Sequence, residues 1–229
     1  MKPVSARALR RYADRCLGLQ KYLRQPGDGR LQPVIAAVTL LWSLLVTRVL
    51  REISFHAVEQ LVHSAGCQSL GIQRSFGNDA LGYFTERLDP AVTRAALVGT
   101  LHRAKRNKAF ENSRFIGLAI DGTTAGHSTQ HSCALCRPQH NANKEVIGYR
   151  HQLATISVVG AGLVLPFDGE PYGAGDSEYA AGQRLLARAL RQLGPRFANY
   201  LVVDSEYATA PLFACRRSGR DPGGGAAQG

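Results

Sequence analysis

The stretch that decides the fold is FIGLAID, residues 115–121, and YLVVD, residues 200–204, has the same form. In both runs a short apolar segment is followed directly by an aspartate, Asp121 in the first and Asp204 in the second. Apolar runs of this length, bounded by polar residues, are typical of buried strands. We therefore predict two buried strands, each of which ends at its aspartate.

The residues between these two runs predict two more strands and a helix. Residues 152–159 and 163–167 are β-rich, and the glycine-containing break at 160–162 predicts a hairpin between them. A helix is predicted from about Ser177 to Leu193, where Gly194 and Pro195 stop it. Three strands, a helix and a strand form the opening order of an RNase H-like domain, in which the first and fourth strands are neighbours. The predicted class is α/β, or α+β overall, with an incomplete RNase H-like mixed sheet.

The first half of the chain has a helical pattern instead. Apolar residues recur at three- and four-residue steps from Leu40 to Ile53, which predicts a buried helix. Asp89 followed by Pro90 predicts the start of a helix that runs toward Phe110. We divide the chain into three parts: a helical, basic region that could bind DNA (1–113), a partial catalytic domain with a Cys/His insert at 127–140 (114–215), and a disordered tail (216–229).

The charge of the chain limits its partners. It has 28 Lys and Arg residues against 17 Asp and Glu residues, a net charge of +11, which favours a polyanion such as nucleic acid or an anionic membrane surface. The longest apolar stretch, Val34 to Val46, is shorter than the roughly 20 residues of a spanning helix, and the N-terminus lacks a signal-peptide pattern. We expect a cytoplasmic, nucleoid-associated protein that does not enter a membrane. The basic residues expected to contact DNA, or simply to be solvated, are Lys105, Arg106, Lys108, Lys144 and Arg150.

A group of histidines and cysteines lies in the insert after the first aspartate. Cys133 and Cys136 form a Cys-x-x-Cys pair, with His127, His131 and His140 close by in sequence. Thiolate and imidazole are the donors that tetrahedral zinc prefers. The preferred set for a structural zinc ion is Cys133, Cys136 and His140, with His131 or His127 as the fourth ligand. A redox dithiol and an unliganded polar loop are the alternatives.

Asp121 and Asp204 are the candidates for chemistry on DNA. Phosphodiester cleavage can use two Mg²⁺ ions about 3.5 to 4 Å apart, held by carboxylates from separate elements. Adjacent first and fourth strands would bring these two carboxylates together, and Mg²⁺ or Mn²⁺ would be the cofactor. The alternative is that Asp121 and Gly122 form an ordinary turn, because Asp-Gly is a favoured turn pair.

Several short motifs resemble those of bacterial insertion-sequence transposases of the DDE type. They are REISFHAVE (51–59), IDGTT (120–124), GDSEYAA (175–181) and VDSEYA (203–208). The resemblance covers roughly residues 40 to 213 and implies that Asp121 and Asp204 are the first two catalytic acids. The family's third acid, a Glu on a later helix, has no counterpart here, so we expect a C-terminally truncated chain. Five other acids could substitute for it: Asp168, Glu170, Asp176, Glu178 and Glu206.

The expected function follows from this resemblance. The complete family cuts and joins DNA, with transposon ends and target DNA as substrates, and we expect homo-oligomers of the full-length form. The chain itself is expected to be catalytically impaired, because its set of carboxylates is incomplete. Two alternatives are a non-catalytic, zinc-containing DNA-binding remnant and a free-standing nuclease that acts on RNA or hybrids. The second alternative also requires a complete set of carboxylates.

Overall fold

A computed structural model describes residues 6–52, 54–110, 115–160, 162–204 and 207. The chain forms two compact units, Met1–Asn107 and Lys108–Gly229. The first unit is helical and the second combines helix and sheet, so the predicted α+β class is confirmed. The predicted disordered tail, 216–229, and the acid Glu206 lie outside the described residues.

The described part of the first unit consists of helices. They are α1 (Ala6–Leu17), α2 (Leu19–Leu23), α3 (Ala37–Val49), α4 (Phe55–His63), α5 (Asn78–Glu86) and α6 (Pro90–Arg106). Two of them start at caps of the usual kind: the Ser54 hydroxyl accepts from the Ala57 amide at 3.0 Å, and the Asp89 carboxylate accepts from the Ala91 amide at 2.8 Å. The predicted start of α6 is therefore confirmed, and the helix ends at Arg106.

The core of this unit forms around α3. Leu40, Val58, Leu81 and neighbouring apolar residues of α3, α4 and α5 are buried together. Trp42 belongs to the same cluster, and its indole N–H donates to the Leu70 carbonyl at 2.9 Å, so its one polar group is satisfied. Within the described part of the chain, no helix combines the length and the apolar character needed to cross a bilayer.

The second unit is built on one mixed sheet. Its described strands are β1 (Gly117–Ser128), β2 (Arg137–His140), β3 (Val146–Gly160), β4 (Leu163–Tyr172) and β5 (Tyr200–Val202). β3 pairs antiparallel with β1 on one edge, and with β2 and then β4 on the other. β5 lies parallel to the other edge of β1. The predicted hairpin and the predicted neighbourhood of the first and last strands are both confirmed.

The prediction that a strand ends at Asp121 is wrong. β1 continues to Ser128, and its ladder with β3 runs from Gly117↔Val159 to Ser128↔Tyr149. A register shift between Thr124 and Gly126 absorbs an extra residue, so the ladder continues past the Asp-Gly pair. Pairing with a long partner strand overrides the turn preference of these two residues. β3 is also longer than predicted, because it begins at Val146 rather than near residue 152.

Helix α7 (Glu178–Leu193) covers one face of this sheet. The Ser177 hydroxyl accepts from the Ala180 amide at 3.1 Å at its start, and Gly194 follows its end with φ +85°, a conformation that glycine adopts without strain. Leu185 and other apolar residues of α7 pack on the sheet residues Leu118, Ile120 and Ile156. Side chains alternate along a strand, so residues with the parity of Ile120 in β1 face α7.

Candidate functional site

The two predicted aspartates lie close to the end of the parallel pairing between β1 and β5. The ladder pairs Gly117 with Tyr200 and Ala119 with Val202, one residue to one residue. Asp121 follows Ala119 by two residues within β1, and Asp204 follows Val202 by two residues, beyond the end of β5. Side chains alternate along a strand, so Asp121 points to the same face of the sheet as Gly117 and Ala119.

That face is the one away from α7. A Cβ built on Gly122 would meet the carboxylate of Glu178 on α7, so the neighbouring Asp121 points to the opposite side. Asp121 and Asp204 are both exposed, and no cation in the described residues forms an ion pair with Asp121. The Thr155 hydroxyl donates to the Asp121 carbonyl at 3.1 Å, which leaves the Asp121 carboxylate oxygens for other partners.

Glu178 lies on the other face and has a different role from the two aspartates. Its carboxylate accepts from the Tyr172 hydroxyl at 2.8 Å and from the Tyr207 hydroxyl at 3.0 Å. Burial, followed by the nearby Glu178 carboxylate, raises the pKa of Tyr172 to about 12 and also raises the pKa of Tyr207, so both phenols remain donors. The Tyr207 amide donates to the Asp204 carbonyl at 3.3 Å.

The other acids considered as a third metal ligand form ion pairs with α7. Arg188 contacts Asp168 at 2.6 Å and Glu170 at 2.8 Å. Arg184 contacts Glu170 at 2.8 Å and Asp176 at 2.6 Å. These contacts join β4 and the turn before α7 to the helix surface. Like Glu178, these three acids stabilise the packing of α7.

The structure brings the Cys-x-x-Cys pair together with a histidine of β3. The Nε2 atom of His151 lies 3.2 Å from Cys133 Sγ and 3.2 Å from Cys136 Sγ, and the two sulfur atoms are 3.9 Å apart. This is the group among the described residues whose three donor atoms could hold a metal ion. The sequence-based interpretation did not include His151 as a ligand.

The predicted histidine ligands lie elsewhere. His140 ends β2 and pairs with Val146 of β3, and His127 lies in β1 and pairs with Arg150 of β3. The ring of His131 packs edge-on against Tyr149, with 5.2 Å between the ring centroids. None of the three belongs to the metal-competent group, so the expected set that includes His140 and His131 is replaced by one with His151. The antiparallel register explains the change: Arg137 pairs with Arg150, so Cys136 comes opposite His151 one step further along.

Hydrogen bonds from Ser132 reach the sulfur of Cys136. The Ser132 hydroxyl lies 3.5 Å from Cys136 Sγ, and the Ser132 amide donates to the same sulfur at 3.4 Å. These contacts, the side-chain contact first, lower the pKa of the Cys136 thiol to about 6. The lowered pKa favours the thiolate, which is the form of cysteine that binds metal ions.

The residues expected to contact DNA lie in different surroundings. Lys105 and Arg106 are in the last turn of α6, and Arg106 and Lys108 are exposed. Lys144 is exposed in the turn between β2 and β3, with φ 64°. Arg150 is partly buried in β3, and its Nε has no hydrogen-bond partner within the part of the chain that the structure describes.

Comparison with known proteins yields one distant structural likeness. No family model and no curated protein matches the sequence. Among solved structures the chain is similar to a piggyBac transposase, determined by cryo-EM in a synaptic complex with hairpin DNA, at a TM-score of 0.37 and 12% identity. The match covers 92% of this chain and 48% of that one, so the chain spans about half the length of the matched transposase. Similarity at this level does not establish a shared fold.

Proposed function

We propose that the chain is a DNA-processing protein of the DDE transposase type, in which Asp121 and Asp204 bind divalent metal ions against a DNA phosphate. The observation that supports the proposal is the parallel pairing of β1 with β5, because Asp121 and Asp204 each follow the last pair of that ladder by two residues. The strand order, with the first strand between the hairpin and the last strand, is the order expected of an RNase H-like core.

The donor set suits Mg²⁺ or Mn²⁺. Carboxylate oxygens are the hard ligands that these ions prefer, and such sites keep several waters and take further ligands from substrate phosphates. Two carboxylates are therefore enough protein ligands for such a metal site, because water and substrate phosphates supply the other ligands. When bound, the metal ions would stabilise the charge on the attacking and leaving oxygens of a phosphodiester.

The chain's own residues would position the reacting groups and would not supply the nucleophile. In hydrolysis, a water oxygen forms the new bond to phosphorus and the 3′ oxygen of the DNA strand leaves. Asp121 is held on β1 by its pairing with Thr155 of β3, and the Asp204 carbonyl accepts from the Tyr207 amide. Rigid elements keep such carboxylates within the narrow geometry that phosphoryl transfer requires.

The positive charge of the chain supports DNA as the partner. A net charge of +11 favours binding to phosphates in a salt-dependent way. The basic residues Arg106, Lys108 and Lys144 are exposed. A DNA-binding protein without nuclease activity would share this charge but would not depend on the two aspartates.

The test compares single carboxylate removals in the purified protein. We expect Asp121→Asn and Asp204→Asn each to lower Mn²⁺-dependent nicking of supercoiled plasmid by more than about 100-fold, because metal ligands matter more than the groups that support them. Mn²⁺ binding, measured by electron paramagnetic resonance, should fall in parallel. Plasmid affinity, measured at one fixed salt concentration, should stay unchanged.

The control is Asp79→Asn, which removes one exposed carboxylate from α5 and therefore matches the change in charge. It should retain both nicking and Mn²⁺ binding. Mn²⁺ binding that is the same in all three variants would overturn the proposal. DNA binding with no nicking in the parent protein would favour the non-catalytic alternative.

A further inference from the structure

A second metal site is built where the turn at residues 133–136 meets β3. It uses one atom each from Cys133, Cys136 and His151, and all three atoms lie within 4.8 Å of one another. The two sulfurs come from a local turn, in which the Cys136 amide donates to the Cys133 carbonyl at 3.1 Å. The imidazole comes from the neighbouring strand, so the group joins two separate parts of the unit.

The spacing of the donor atoms matches a tetrahedral zinc site. With zinc bonds of about 2.3 Å to sulfur and about 2.0 Å to nitrogen, two sulfurs lie about 3.8 Å apart and a sulfur and a nitrogen about 3.5 Å apart. The observed separations are 3.9 Å between the sulfurs and 3.2 Å from each sulfur to the imidazole nitrogen. Shifts of a few tenths of an ångström would complete the geometry.

The other uses of a Cys-x-x-Cys pair fit less well. A disulfide requires about 2.05 Å between sulfurs, and the two here are 3.9 Å apart with a shared imidazole beside them. Redox pairs of the thioredoxin kind stand at the start of a helix, whereas Cys133 and Cys136 flank a turn that leads into β2. Hydrogen bonds from Ser132 to Cys136 are the kind of support that metal-bound thiolates receive.

We propose that Cys133, Cys136 and His151 bind a zinc ion, with water at the fourth position on the exposed side of Cys133. The inference does not depend on the proposed DNA chemistry. His151 and Thr155, which pairs with Asp121, have the same parity on β3 and lie about 13 Å apart along the strand. This exceeds the separation of about 4 Å within a shared two-metal site, so the zinc ion would be separate from the proposed Mg²⁺ site and would join the turn to β3.

The experiment measures zinc in the purified full chain by elemental mass spectrometry, together with the absorption spectrum after cobalt replacement. We expect zinc equimolar with the protein, and cobalt bands that include charge transfer from thiolate sulfur. His151→Gln and Cys136→Ser should each lower bound zinc by more than about tenfold. The matched control, His140→Gln, should keep the zinc, because His140 lies outside the group.

A second measurement needs no variant and therefore does not depend on whether the variants fold. In the parent protein, removal of zinc with a chelator should speed alkylation of Cys133 and Cys136 and leave the rate at Cys67 unchanged. A parent protein without zinc and without thiolate charge-transfer bands would overturn the assignment. Zinc lost in His140→Gln but kept in His151→Gln would also overturn it.

Discussion

Both faces of the sheet carry acidic residues, but the partners of these residues differ between the two faces. On the face covered by α7, Glu178 is held by two tyrosines, and Asp168, Glu170 and Asp176 are paired with arginines. On the other face, Asp121 is exposed and has no ion-pair partner among the described residues. Acids that already form ion pairs or hydrogen bonds contribute to stability, whereas an exposed acid on a rigid strand can bind a ligand.

The largest expected difference between the two faces is in the free energy of unfolding lost when a side chain is shortened. Ile156 is fully buried on the α7 side, so Ile156→Ala should lower the free energy of unfolding by about 2 to 5 kcal/mol. Its neighbour Thr155 points to the other face, and Thr155→Ala removes one hydrogen bond, which is worth about 1 kcal/mol. Urea unfolding of both variants measures the difference. Equal losses would contradict the assignment of the two faces.

A smaller loss of stability is expected on substitution of Gly122, which lies against the side chain of Glu178. A Cβ at Gly122 would meet the Glu178 carboxylate, so Gly122→Ala should destabilise the protein by about 1 to 3 kcal/mol through displacement of that side chain. Gly126 lies on the same strand with no atom within 4 Å of a built Cβ, so Gly126→Ala is the matched control. Thermal unfolding should separate the two. A loss at Gly126 as large as at Gly122 would argue against the Glu178 contact.

The smallest expected effect is a pH dependence from the acids beside α7. The hydrogen bond from Arg184 lowers the pKa of Asp176 below its ordinary value of 3.8. A carboxyl group whose pKa is lower in the folded protein stabilises it fully above the ordinary pKa, and this contribution is lost as the pH falls through the folded pKa. Asp176→Asn should therefore reduce stability slightly at neutral pH and flatten its decline below about pH 4.

Denaturant midpoints measured from pH 7 down to pH 2.5 would follow this change. Asp79→Asn serves as the control, because Asp79 is an exposed acid on α5 of the first unit. If Asp176→Asn and Asp79→Asn give the same pH profile, the ion pair with Arg184 does not contribute to acid stability.

Local patterns predicted much of the fold. The Asp89-Pro90 start of α6, the helix α7 that ends at Leu193, and the hairpin of β3 and β4 all follow from residues within a few positions of each other. Capping, turn formation and apolar periodicity act over such short distances, so a sequence displays them directly. The error at Asp121 has the opposite origin, because a distant partner strand extended β1 past a local turn signal.

The metal-competent group was also predicted only in part from the sequence. Cys133 and Cys136 were recognisable because they are three residues apart, whereas His151 comes from β3 and was not predicted to join them. The strand register was the missing information. Once Arg137 is paired with Arg150, the position of His151 beside Cys136 follows.

The sequence by itself determined the basic charge, the helix limits near caps and glycines, and the two apolar runs that precede Asp121 and Asp204. Only the tertiary structure decided which strands are neighbours, which face each acid occupies, and which histidine joins the two thiols. The physical reason is that capping and periodicity arise from bonds within one segment. Register and face depend on pairing between segments far apart in the chain, where one step of slippage would turn every side chain to the other side.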